Sequence, residues 1–110
     1  MNQSARTTSD WVAARDADSP PELRQRVQSA LAAVPEAESV VATLVDASAA
    51  CLAAALLIGA DRAAAAELLA ADALLTYACE AAADEADPDA LDSLLASVVT
   101  RLQPMLAEST

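Results

Sequence analysis

The fold turns on residues 40–84, VVATLVDASAACLAAALLIGADRAAAAELLAADALLTYACEAAAD, two long alanine- and leucine-rich runs on either side of Gly59-Ala60-Asp61. Alanine is the strongest helix former and Gly59 is the only glycine of the chain, so both runs predict helices and the glycine predicts the break between them. Asp61 stands where the second run needs an N-cap. So short a connection folds the two helices back on each other as a hairpin.

The first run, read as a helix over 36–58, carries one apolar stripe of Val41, Leu44, Val45, Ser48, Leu52, Ala55 and Leu56. A second stripe, Val40, Ala47, Cys51, Ala54 and Ile58, adjoins it, and no charged residue falls between Ala47 and Ala60. A helix apolar nearly all round has neighbours on several sides, which makes this the central one. Glu36 and Glu38 would sit at the positive end of its dipole. The second run, 62–84, is two-faced, with Ala64, Leu68, Ala71, Leu75, Ala78 and Ala82 on one arc and Asp72, Thr76 and Glu80 opposite. Alanines at 64, 71 and 78 recur every seven residues, a repeat that permits a close, nearly antiparallel helix pair.

Upstream, Ser19-Pro20-Pro21-Glu22 predicts a helix over 20–34 with Ser19 as cap, and Leu23, Val27, Ala30, Leu31 and Val34 form its apolar face. Downstream, Asp87-Pro88 predicts another over 88–107, with Leu91, Leu95, Val98, Leu102 and Met105 at bundle-seam spacing and a kink or an end at Pro104. Residues 1–18 are polar and turn-rich, and only Asp10–Arg15 offers a helical turn. No stretch alternates as a strand would. The expected fold is all-α: an up-and-down four-helix bundle forming a single domain over 19–110, preceded by a flexible or docked N-terminal arm over 1–18.

Composition narrows the function. There is no histidine, lysine or phenylalanine, and 31 of the 61 hydrophobic residues are alanine, which buries little area per residue. Without histidine, neither a cysteine nor a hydroxyl nucleophile has its usual base, and the Glu-x-x-His ligands of di-iron bundles cannot be made. An acidic cluster at Asp84, Glu85, Asp87, Asp89 and Asp92 lacks the EF-hand pattern and its glycine, and reads as a solvated turn. No catalytic, cofactor-binding or metal-ligating residue is expected. The net charge is −11, and it arises entirely after Arg26, where 13 acids face only Arg62 and Arg101. Such a chain repels phosphate backbones, so nucleic acid is not an expected partner and a basic protein suits it better.

Residues 40–60 are long and apolar enough to span a bilayer. Asp46 would cost ~2.5–3.5 kcal/mol at its centre, however, and basic and aromatic flanks are missing, so the segment reads as a buried helix. Cys51 and Cys79 suit neither a disulfide framework nor a metal site; with the hairpin turning at 59–61 they fall roughly 15 Å apart along the helices and read as buried, reduced thiols. With no signal-peptide pattern at the start of the sequence, a cytoplasmic location is expected.

Single residues stand out against this background. Trp11, the sole tryptophan, either docks the arm or anchors a partner. Leu69 falls on the polar side of its helix and Tyr77 on the margin, so Trp11, Leu69 and Tyr77 are the candidate contact residues. Asp46 is the candidate buried acid, or else it marks the one strip of its helix that reaches solvent. The expected function is a non-enzymatic protein–protein interaction module, self-associating as a homo-oligomer or serving as accessory subunit of a larger complex. The alternative is a carrier of a small apolar ligand, or a small enzyme, with a cavity between the two hairpin helices near Cys51 and Tyr77.

The stretch ELLAADALLTYACEAAAD, 67–84, resembles one helix of the polyprenyl diphosphate synthases over about one sixth of the chain. The DDxxD motifs on which those enzymes depend are absent here. The resemblance therefore carries over no site residue and implies no family.

Overall fold

A computed structural model describes residues 4–59, 61–84 and 89–109. Among them it places five helices and no strand: α1 (Ser4–Arg15), α2 (Pro21–Ala33), α3 (Val40–Ile58), α4 (Arg62–Asp84) and α5 (Ala90–Ser109). The chain is all-helical, but a fifth helix occupies what the sequence reads as an arm. Composition hides α1 because, apart from Trp11, Val12 and a few alanines, its residues are polar. It is held by Val12, fully buried in the common core, and by Thr8, buried beside it.

The hairpin turn forms as its residues dictate. Gly59 takes φ 95°, a conformation that side-chain-bearing residues rarely adopt, and its N–H closes the last turn of α3 on the Ala55 carbonyl at 3.1 Å. Asp61 Oδ1 then accepts from the backbone N–H of Ala64 at 3.0 Å and opens α4. The other end of α3 departs from expectation. Ser39, in extended conformation, caps it by accepting from Ala42 N–H at 3.0 Å, so the helix starts at Val40 and not at Glu36. The Ser39 side chain meets one of the N–H groups that the first turn leaves without a carbonyl partner, which fixes the start of the helix there. Similarly α2 begins one residue late, with Pro20 as its cap and no side-chain cap bond from Ser19.

In α3, Thr43, Leu44, Val45, Ala47, Ser48, Cys51 and Ala55 are buried, and the helix packs against each of the other four. Its most extensive contact is with α4, whose buried residues are Ala64, Ala70, Ala71, Leu74, Ala78, Ala81 and Ala82. Of the six residues on the expected α4 arc, Ala64, Ala71, Ala78 and Ala82 are buried and Leu75 is half-buried; Leu68, at 48% exposure, is not, because the buried arc is centred on Leu74 instead. Ser48 Oγ donates to the Ala71 carbonyl at 2.9 Å, which brings a side chain of one helix onto the backbone of the other. Only small residues allow that approach.

In α5 the core contacts are Ala90 and Leu94, with Val98 packed against them. Leu91, Leu95 and Val99 stay about half exposed, so the expected seam is rotated toward solvent. The helix also runs through Pro104 without ending there. Both Pro104 and Thr100, whose carbonyl loses its donor, are exposed, where water can replace the missing bond.

Two substitutions test this packing. Leu74→Ala, at a fully buried site, should lower unfolding free energy by about 2–5 kcal/mol in urea titration. Ser39→Ala, which removes the α3 cap, should lower it by about 0.5–2 kcal/mol.

Candidate interaction surface

The aromatic residues singled out by the sequence meet each other. Trp11 on α1 and Tyr77 on α4 lie edge to face, ring centroids 6.3 Å apart at 82°. The Arg15 guanidinium stacks 3.7 Å from the Trp11 ring and reaches Glu80 at 3.4 Å and Asp84 at 3.1 Å. Trp11 and Tyr77 are thus half-buried against one another and not exposed. The aromatic pair contributes ~0.5–1.5 kcal/mol beyond its area. The largely solvated ion pairs add little.

Polar contacts complete the attachment of α1. Thr8 Oγ1 donates to Glu36 Oε2, and Ser9 Oγ donates to Gln28 Oε1 at 2.6 Å. Thr43 Oγ1 lies 3.3 Å from the same Glu36 oxygen and accepts from the Ala37 N–H at 2.9 Å. Glu36, expected at a helix N-terminus, instead ties the α2–α3 loop to α1.

Asp46 is half-buried and forms an ion pair with Arg101 of α5. That pair fastens α5 over α3 at the level where Val45, Ser48 and Ala49 line a groove shared by the two helices and α4. The groove holds about 220 Å³, and its walls are almost wholly aliphatic, including Leu52, Leu68, Leu75, Val98 and Leu102. Neither Cys51 nor Tyr77 lines it, so the cavity lies away from the position the sequence suggests. A wider open depression of about 740 Å³ runs between α2 and α4, with Leu23, Arg26, Ala66 and Leu69 among its lining.

The two thiols are free and differ in setting. Cys51 is buried, whereas Cys79 is exposed, contrary to the expectation that both lie in the interior. Burial pushes the Cys51 thiol up to about 11, and the neighbouring Glu67 carboxylate pushes in the same direction. Glu67 is itself paired with Arg26 at 3.6 Å. A thiol held protonated is a poor nucleophile, so this Cys–Glu–Arg grouping is not built for covalent chemistry. No cluster of potential metal ligands occurs among the described residues, and residues 85–88 of the acidic turn lie outside them.

Among the described residues eight large aliphatic side chains are exposed: Leu56, Leu57, Ile58, Leu68, Leu69, Leu91, Leu95 and Val99. Sequence reasoning found Leu69, which is 61% exposed. It missed Leu56, Ile58, Leu68, Leu91 and Leu95 because their spacing reads as core, whereas Leu57 and Val99 lie on none of the stripes it drew. No family model, curated protein or solved structure matches the chain.

In the native protein an aromatic disulfide reagent should modify Cys79 promptly and Cys51 only upon unfolding. Stability gives the second check. The folded state holds the Cys51 proton more tightly than the unfolded chain, whose thiol titrates near 9.0. The resulting stabilisation is complete below pH 9 and is lost as the pH climbs toward about 11. Urea titrations over that range should show a decline that is reduced in Cys51→Ala.

Proposed function

We propose that this chain is a non-enzymatic interaction module, a small acidic helical protein that self-associates or joins a larger complex as an accessory subunit. One observation supports the reading above the others: eight large aliphatic side chains remain exposed on α3, α4 and α5 of a chain in whose core alanine takes about half of the buried positions. Leaving them in water forgoes a large driving force, since fully burying one such side chain is worth roughly 1.5–3 kcal/mol. Contiguous apolar surface on a soluble domain marks an interaction site. The acidic remainder disfavours nucleic acid as the partner. Helix α3 is long and apolar enough to cross a membrane. Its contacts with all four other helices favour a core helix over a span.

Leu69 is the sequence-derived contact residue that the surface offers most openly. Trp11 and Tyr77 serve the reading indirectly, by holding α1 to the bundle. Size-exclusion chromatography with light scattering, together with affinity capture, tests the reading. An oligomer or a stable complex is expected, and a strict monomer without any stable partner would defeat it.

The aliphatic groove under α5 favours a second reading, a carrier of a small apolar ligand. Its volume of about 220 Å³ falls below the ~300–1,000 Å³ of most ligand sites. Thermal-shift screening against lipids and isoprenoids separates the two readings. A ligand at 100 times its Kd adds ~2.7 kcal/mol of stability, and a flat panel would remove the carrier.

A further inference from the structure

We infer that the distal half of the α3–α4 hairpin, residues 50–69, docks against the same segment of a second copy of this chain. The inference rests on the interaction-module reading and names both its surface and its partner. Five of the exposed aliphatic residues belong to this segment: Leu57 at 88%, Leu69 at 61%, Leu56 at 52%, Leu68 at 48% and Ile58 at 42%. They are not confined to one side. Leu68 lines the groove shared with α5, whereas Leu69 lines the depression shared with α2. Among the described residues this end of the hairpin is therefore apolar on more than one side, with its leucines open to solvent.

Charge selects the occupant. The segment's charged residues are Asp61, Arg62 and Glu67. Asp61 and Arg62 cancel, Asp61 also caps α4, and Glu67 is paired with Arg26. The end is thus close to neutral in a chain of net charge −11. A basic partner would find its counter-charges elsewhere on the molecule, and a single arginine gives anionic lipid little to hold. Two copies meeting through this end keep their remaining charges farthest apart, which is the arrangement that mutual repulsion favours. By contrast, the exposed strip of α5 is flanked by Asp89 and Asp92.

Area sets the strength of the pairing. The five side chains expose on the order of 500 Å² of aliphatic surface, but on different sides of the hairpin, so one partner copy covers only part of it, less than the ~800 Å² that each partner contributes to a standard stable interface, and the dimer is a weak one. A two-fold pairing uses the same patch twice and closes without forming a filament.

Sedimentation velocity on the full chain, over a range of protein and salt concentrations, tests the inference with two variants. The wild type should dimerise, and raising salt should strengthen the dimer by screening its repulsion. Leu57→Glu should raise the dimer Kd about 30-fold or more, as expected for a central contact. Since Leu57 is almost fully exposed, far-UV circular dichroism should show its fold unchanged. Leu95→Glu on α5 should leave the dimer Kd within about threefold. A dimer broken by Leu95→Glu and not by Leu57→Glu would overturn the assignment, as would one weakened by salt or a monomer that binds zwitterionic vesicles. A wild-type monomer that still captures a stable protein partner would overturn the second copy while leaving the interaction-module reading in place.

Discussion

The structure depends on how closely α3 and α4 approach one another. Ala47, Ala55, Ala64, Ala71 and Ala78 give the buried faces of the two helices little side-chain bulk, and Ser48 donates across the gap to the Ala71 carbonyl. Each alanine contributes little transfer energy, but it brings many backbone and methyl atoms into contact, and dispersion summed over such contacts is substantial. With alanine taking about half of the buried positions, only part of the chain's large aliphatic side chains is drawn inside. Among the described leucines, only Leu31, Leu44, Leu74 and Leu94 are buried. The outward leucines are therefore a consequence of the same sequence bias that lets the hairpin close.

Elements governed by local chemistry are readable from sequence. Gly59 and Asp61 fix the hairpin turn through a positive φ and a cap, two requirements met by particular residue types, and α4 begins and ends where the pattern places it. Helix α1 is not readable beyond a turn. Its stability comes from Val12, Thr8 and Trp11 meeting residues far along the chain, and neither propensity nor periodicity records such partners. The boundaries at Glu36 and Ser19 fail for a related reason. Both residues resemble helix-start signals, but Glu36 is drawn into hydrogen bonds with Thr8 and Thr43.

The surface is legible only in part. Leu69 stands out because it lies among polar residues, a local contrast that sequence displays. Leu56, Leu68, Leu91 and Leu95 have the spacing of a core stripe, and their exposure follows from rotation of the helices, a property of packing alone. Asp46 is informative in the same way. Its position in an apolar helix signals an exception, but the identity of its partner, Arg101, follows from where α5 crosses.

The arrangement around Trp11 has a practical corollary. The sole indole of the protein belongs to α1, where it touches Tyr77 and Arg15, and the chain's only other aromatic ring is Tyr77 itself. Intrinsic emission therefore reports whether α1 is seated, and ellipticity, to which α1 adds only its own twelve residues, is dominated by the other four helices. In this molecule the two optical signals observe different structural layers, and their divergence would time the release of one layer from the other.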